Sequence, residues 1–407
     1  MPSVSFGGLL VVAVVAVGAP LLVGLVPWIR VPAVVLEIVA GIVLGPSGLG
    51  WVKVDLPIQV LAVIGLAFLL FLAGLEIDVV GLRGPVLRKA GLGFGLTLAL
   101  GVAVGIAFHA AGYVQSPLLI AVTLSATSLG LVVPVLKDAG QVERPLGQLT
   151  IAGASVADFG AIVLLSLLFS EMAASVGSTL TLLGLFALLV AATGLALARV
   201  ERSVRLEAVL VRLQDTTAEI RVRLAVVLLV GFVALAEHLG LETILGAFLA
   251  GAILNMVDKN TMSHPHFRLK LEAIGYGFVV PVFFVSSGLR FDLDALVGSP
   301  SAFVKVPLFL LALVVVRGVP AALYAPEVGR RGAVAAALLQ ATSLPFLVTT
   351  TQIGVTLGEI RPDTAAALVS AGLLSVVIFP LVALSLLGPE GDMGTPAVTR
   401  PVGGEAP

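Results

Sequence analysis

The chain is a near-continuous series of helix-length apolar runs. They lie near 7–28, 32–51, 57–76, 86–112, 116–137, 146–171, 176–199, 219–239, 241–257, 270–289, 299–325, 331–357 and 362–388. A bilayer core ~30 Å thick takes about 20 apolar residues to cross as a helix. Backbone polar groups in hydrocarbon have to pair within their own segment, so runs of this kind become helices and little else. Composition agrees, with 59% hydrophobic and 12% charged residues, against about 25% charged in soluble domains. The fold class expected is an all-α polytopic membrane protein of about 13 transmembrane helices. No cysteine is present, which excludes disulfides, thiolate metal sites and a thiol nucleophile. The net charge of −1 gives no reason to expect a nucleic-acid partner. The first run has no basic stretch before it, so it is expected to be kept as a span.

Thirteen spans leave loops on two sides, and the basic residues sort sharply between them. Eighteen of the 23 Lys and Arg residues fall on one side, among them Arg88, Lys89, Lys137, Arg144, Arg268 and Arg330. The other side holds Lys53, Arg290 and Arg361. The positive-inside rule makes the rich side cytoplasmic. The expected placement is therefore multi-pass in the cell (inner) membrane, with the N-terminus outside and the C-terminus in the cytoplasm. A miscounted span would scramble the split, so it supports the count as well.

Two basic residues remain, both in the eleventh span. Lys305 is near its outer end, where a snorkelling role is expected. Arg317 is deep in the run from Leu308 to Tyr324 with no charge beside it. One acid matches it in depth. Asp158 is the only ionisable residue between Pro145 and Ser170, at the middle of the sixth span. A carboxylate there costs about 2.5–3.5 kcal/mol on insertion scales, so an intramembrane acid marks a functional site by default. Arg317 is the natural counter-charge.

The halves of the chain echo one another. Ala40-Gly41-Ile42-Val43-Leu44 recurs as Ala250-Gly251-Ala252-Ile253-Leu254, Gly74-Leu75-Glu76 as Gly288-Leu289-Arg290, and Ala126-Thr127-Ser128-Leu129 as Ala341-Thr342-Ser343-Leu344. The offsets are nearly constant and each pair is seven spans apart, an odd number, so the copies run in opposite directions. Inverted repeats around a central site are the architecture of secondary transporters. The domains expected are a first inverted repeat at 1–175 (spans 1–6), a linker span and cytoplasmic loop at 176–218, a second inverted repeat at 219–387 (spans 8–13), and a disordered cytoplasmic tail at 388–407. The third pair sets hydroxyls in mid-membrane with Pro134 and Pro345 following. Both helices are expected to be discontinuous there and to cross, since Pro frees a carbonyl and interrupted helices aim dipole ends at an ion. Position 215 beyond Asp158 is Leu373, within Gly372-Leu373-Leu374-Ser375. The scaffold repeats and the charges do not.

At this point the strings themselves resemble a family. Glu37-Ile38-Val39-Ala40-Gly41-Ile42-Val43-Leu44-Gly45-Pro46-Ser47-Gly48-Leu49-Gly50, Leu69-Leu70-Phe71-Leu72-Ala73-Gly74-Leu75-Glu76, Gly246-Ala247-Phe248-Leu249-Ala250-Gly251 and Pro281-Val282-Phe283-Phe284-Val285-Ser286-Ser287-Gly288-Leu289 occur in order. The chain resembles the cation:proton antiporters of the second monovalent-cation family, which include bacterial Na⁺/H⁺ antiporters and K⁺ efflux systems, over about Pro32 to Leu387. The resemblance implies a thirteen-helix homodimer of the sodium/proton antiporter-like fold, with crossed broken helices moving against a dimerisation domain. That family usually carries Asp-Asp, Asn-Asp or Gln-Asp in the sixth span. Here the pair is Ala157-Asp158, and Ala neither donates nor accepts a hydrogen bond.

The function expected is exchange of a monovalent cation, Na⁺ or K⁺, for H⁺ by alternating access. Asp158 serves as the shared carboxylate, and as the only metal (monovalent cation) ligand that carries charge. Hard alkali cations want oxygen ligands, so Thr127, Ser128, Ser155 and carbonyls near Thr342 are expected to complete the shell. Ser155 is three positions before Asp158 and on the same helical face. Arg317, Ala157, Thr342, Ser343, Glu37 and Glu76 are supporting positions. Glu37 is expected to support the site or pack its helix, and Glu76 to line a mouth or interface. Arg does not titrate in the physiological range, so one titrating acid predicts one-for-one, electroneutral exchange. The partners expected are cations, protons and lipid, with no nucleic acid and no resident cofactor, and the chain is not read as an enzyme. Two other classes stay open: a Na⁺-coupled organic-anion symporter of related design, and a channel or sensor on an antiporter scaffold.

Overall fold

A computed structural model of the chain describes residues 6–25, 32–76, 84–169, 219–258, 265–298 and 300–387, with isolated positions between 177 and 195. The seventh predicted span, nearly all of the loop that follows it and the tail at 388–407 lie outside these residues. The other twelve spans are helical. They are α1 (Gly7–Leu25), α2 (Ala33–Leu44), α3 (Leu56–Leu75), α4 (Gly84–Ala110), the pair α5 (Pro117–Ser125) and α6 (Leu129–Asp138), α7 (Pro145–Phe169), α8 (Ile220–His238) and α9 (Thr243–Asp258). Then α10 (Pro265–Ile274) runs through a π-turn, Gly275–Val279, into α11 (Val280–Leu289). A short α12 (Leu293–Val297) leads to α13 (Pro300–Leu313), continued by a π-turn at Val314–Gly318 and a 3₁₀ turn at Val319–Tyr324. The last elements are α14 (Ala325–Ala341), α15 (Pro345–Thr356) and α16 (Pro362–Leu387). Among the described residues there is no strand. This is a multi-pass helical membrane protein.

Helix starts follow local chemistry. The Asp55 carboxylate accepts from the Ile58 N–H at 3.1 Å at the head of α3, and the Ser116 hydroxyl accepts from the Leu119 N–H at 3.4 Å at the head of α5. A proline follows each cap, where its missing N–H costs nothing.

Packing divides the helices into two bundles. In one, α2 packs on α11, α3 on α9 and α11, and α8 on α9. In the other, α4 packs on α5 and α7, α13 and α14 on α16, and α14 on α7. The main contacts across the divide are α7 on α9 and α16 on α2. Within the first bundle two close crossings depend on glycine. A Cβ on Gly41 would lie 2.9 Å from the Gly288 Cα, and one on Gly74 would lie 3.1 Å from the Gly251 Cα. The sequence echo pairs Gly41 with Gly251 and Gly74 with Gly288, so exchanging the copies maps one crossing onto the other.

Both predicted breaks are present. Helix α5 ends at Ser125 and α6 begins at Leu129, with Ala126 extended between them (φ −82°, ψ 157°). Helix α14 ends at Ala341 and α15 begins at Pro345, with Thr342 also extended (φ −72°, ψ 110°). The two meet where the Ser128 N–H donates to the Thr342 carbonyl at 2.9 Å. One detail corrects the sequence reading: Pro345 stands at the break and Pro134 falls within α6. The first break is held by its partners across the crossing, and proline is not its cause. Lys305 is also corrected. It does not snorkel; it is buried, and its ammonium donates to Asp363 Oδ2 at 2.6 Å and Thr364 Oγ1 at 3.0 Å. A buried cation needs such partners.

Candidate functional site: a carboxylate at the crossing of two broken helices

Asp158 is at the middle of α7, where α7 passes the first break. Its Oδ1 accepts from the Thr127 N–H at 2.9 Å and its Oδ2 from the Leu129 N–H at 3.4 Å. Leu129 opens α6, so the carboxylate caps a helix N-terminus, where unpaired N–H groups and the helix dipole favour a negative charge. The break exposes those donors, and an unbroken helix would have consumed them internally.

Arg317 approaches from the π-turn after α13 and is 1% exposed. Its Nε and Nη2 donate to Thr127 Oγ1 at 2.8 and 2.6 Å, and its Nη1 to Thr97 Oγ1 on α4 at 3.2 Å. Among the described residues no ion pair joins Arg317 to Asp158. The expected counter-charge therefore acts one residue removed: Thr127 gives its N–H to the acid and accepts the guanidinium on its hydroxyl. That hydroxyl donates onward to the Gln340 carbonyl at 2.6 Å.

A cavity of about 70 Å³ opens beside Asp158 at the interface between the bundles. Asp158, Thr127 and Ser128 line it from the second bundle, and Phe248, Tyr276 and Phe284 from the first. Val34 and Ala73 place it toward the end where α2 begins and α3 finishes. A water occupies ~30 Å³ in the liquid, so the space suits a partly hydrated small ion. Organic ligand sites run to ~300 Å³ and more.

The other predicted residues are scattered more widely. Ser155 is buried on α7 but is not in the cavity lining, and Ala157 is fully buried beside it. The Thr342 hydroxyl donates to the Leu338 carbonyl at 3.1 Å, and the Thr342 carbonyl, expected to be free, accepts from Ser128. The Ser343 N–H donates to Ser375 Oγ at 3.2 Å, while the Ser343 hydroxyl is buried without a partner. Glu37 is buried in α2 and is not in the cavity lining. Glu76 caps the end of α3, with Oε2 buried and unpartnered. Sequence reasoning missed Thr97, Gln340, Tyr324 and Ser375. Gln340 carried a signal, being the one amide in the run from Ala333 to Ala341.

The family model described as "Sodium/hydrogen exchanger, transmembrane" matches residues 12–385. The chain belongs to that family. It is 30% identical over 396 residues to the putative Na(+)/H(+) antiporter YjbQ of Bacillus subtilis, covering 94% of this chain and 63% of that protein. It is 31% identical over 301 residues to the Na(+)/H(+) antiporter of Enterococcus hirae, covering 70% of this chain and 72% of that one. The chain thus spans under two thirds of the length of YjbQ. Its fold matches the sodium proton antiporter MjNhaP1 of Methanocaldococcus jannaschii with a TM-score of 0.63 at 17% identity, over 94% of this chain and 99% of that one.

Proposed function

We propose that the protein exchanges Na⁺ or K⁺ for H⁺ across the membrane, with Asp158 as the carboxylate that holds one or the other. The observation that carries this reading is a lone acid, seated on two backbone N–H groups and open to an ion-sized cavity at the interface of two bundles. A proton and a cation compete for it, and competition suffices for exchange if the empty, charged acid is slow to cross. Thr127 and Ser128 are the nearest further oxygens. Arg317 keeps its charge throughout, so one cation in balances one proton out and the cycle is electroneutral.

Alternating access fits the same interface. At its opposite end a second cavity of about 350 Å³ is lined by α11, α15 and α16, with Arg290 and Asp292 at its rim, and does not reach Asp158. Sliding one bundle past the other would close the first cavity and bring the acid toward the second. By the charge sorting, the cavity that holds Asp158 opens to the cytoplasm, with the N-terminus outside and the C-terminus inside. The working unit would be a homodimer in the inner membrane. The space beside Asp158 speaks against an organic-anion symporter.

The test uses sealed proteoliposomes with a pH-sensitive dye and Na⁺, Li⁺, K⁺ or Rb⁺ added in turn. Proton flux should require a cation and vanish in Asp158→Asn. Activity retained in that variant removes Asp158 from its role. An imposed membrane potential should leave the rate unchanged. A clear voltage response sinks the one-for-one stoichiometry, and a current indifferent to pH gradients would favour a channel.

A further inference from the structure

Five residues before Asp158, helix α7 presents Gly153 to a buried polar pair. Gln340 on α14 is 1% exposed and Tyr324 at the end of the 3₁₀ turn is 2% exposed. The Gln340 Nε2 donates to the Tyr324 hydroxyl at 2.9 Å. A Cβ on Gly153 would fall onto that hydroxyl and within 2.5 Å of Gln340 Nε2. The amide and phenol therefore rest directly on the α7 backbone, in a place only glycine leaves open. Gln340 has a second contact, because its main-chain carbonyl accepts the Thr127 hydroxyl at 2.6 Å.

We infer that Gln340 and Tyr324 are positioning residues: a hydrogen-bonded stop that fixes where α7 sits along the crossing and so sets the seat of Asp158 on Thr127 and Leu129. Gln340 touches both sides of that seat, α7 through its side chain and Thr127 through its backbone. The seat is sensitive to such a stop. The bond from Leu129 is already 3.4 Å long, near the limit at which it still counts as one, and a small shift of α7 breaks it. Buried polar groups are costly unless paired, and a leucine could fill the same volume. The pair's place against a glycine five residues from the acid gives it a purpose that packing alone does not. The inference rests on Asp158 being the ion-binding carboxylate.

The test is reciprocal suppression in proteoliposomes, reading apparent KM for Na⁺ or K⁺ and the maximal rate per folded protein, with folding checked by size exclusion and thermal melts. Gly153→Ala should push α7 off the stop, and the double variant Tyr324→Phe, Gln340→Ala should remove the stop. Each should raise apparent KM by about fivefold or more with the maximal rate within about twofold, the split that separates positioning from loss of protein. In the triple variant the added methyl fills the vacated space, and apparent KM should return to within about twofold of wild type, a non-additivity that only residues in contact display. If Gly153→Ala does not fold, its rescue in the triple variant is the same result read as folding. An unchanged KM in both the double variant and Gly153→Ala, or a triple variant worse than either parent, overturns the inference. Cation-dependent exchange that survives Asp158→Asn would overturn the reading beneath it, and this inference with it.

Discussion

The two broken helices share the string Ala-Thr-Ser-Leu and a crossing point, and each has one extended residue, yet they are closed by different chemistry. At the first break the exposed N–H groups of Thr127 and Leu129 go to the Asp158 carboxylate. At the second, the Ser343 N–H goes to the Ser375 hydroxyl and the Leu344 N–H to the Ser128 hydroxyl at 3.4 Å. Ser375 is on α16, two positions beyond the residue that the repeat aligns with Asp158. A hydroxyl therefore suffices to cap a break of this kind in this protein. A carboxylate at the same depth costs more, so the first break carries a charge that its backbone does not need. Arg317 fits the same pattern. It is bonded to Thr127 of the first break, and among the described residues the second break has no cation bonded to it. Among the described residues, charged side chains are bonded to the first break and not to the second.

The largest effect should come from making the first break resemble the second. Asp158→Ser keeps a short oxygen acceptor near the Thr127 N–H and removes the charge proposed to bind the ion. Cation-dependent proton flux should fall to background, a loss of about a hundredfold or more, as when a reacting group is removed. The protein should still purify as a folded species. Collapse of the fold would mean that the charge holds the break together, and would dissolve the comparison. Next in size is Arg317→Gln, which removes the fork from Thr127 and Thr97. Hydrogen bonds to charged groups contribute about 1.5–3 kcal/mol each, so the melting temperature should drop and exchange should fall about tenfold or more. Arg317→Lys should recover part of the rate, since an ammonium keeps the charge but not the planar fork. Equal loss in both variants would assign the whole effect to the fork.

Much of the fold was legible because a membrane leaves a chain few choices. Apolar length marked the twelve described spans, and the recurring Ala-Thr-Ser-Leu pointed to the neighbourhood of both breaks. Asp158 was legible for the same reason, since depth makes a charge expensive wherever the helices later pack. The partners were not. Charge alone pairs Arg317 with Asp158, but the crossing interposes Thr127, whose hydroxyl and N–H point to different neighbours. Pro134 looked like the cause of a break that tertiary contacts make instead, through the Ser128 N–H and the Thr342 carbonyl. Ser155 shares a helical face with Asp158, yet α7 lines the cavity through Asp158 and Ile162, on the turn beyond Asp158 and not the turn before it. Lys305 and Asp363 are 58 residues apart, and nothing local announces their contact.

The smallest expected effect tests the other half of the comparison. Ser375 is fully buried, and its hydroxyl is placed to accept from the Ser343 N–H at 3.2 Å while donating to the Gly372 carbonyl at 2.7 Å. Ser375→Ala leaves the Ser343 N–H without that acceptor in a region water does not reach. A buried donor left unpaired costs about 1–3 kcal/mol, and here the methyl side chain introduces little strain. The melting temperature should therefore fall modestly. Apparent KM and maximal rate of exchange should stay within about twofold of wild type, because no ion ligand is lost. This distinguishes a structural break from a working one by measurement on the same preparation. If Ser375→Ala instead depresses exchange as strongly as Arg317→Gln, the second break shares the ion's path. The asymmetry of charge would then mark only where the ion binds most tightly, and both crossings would belong to the site.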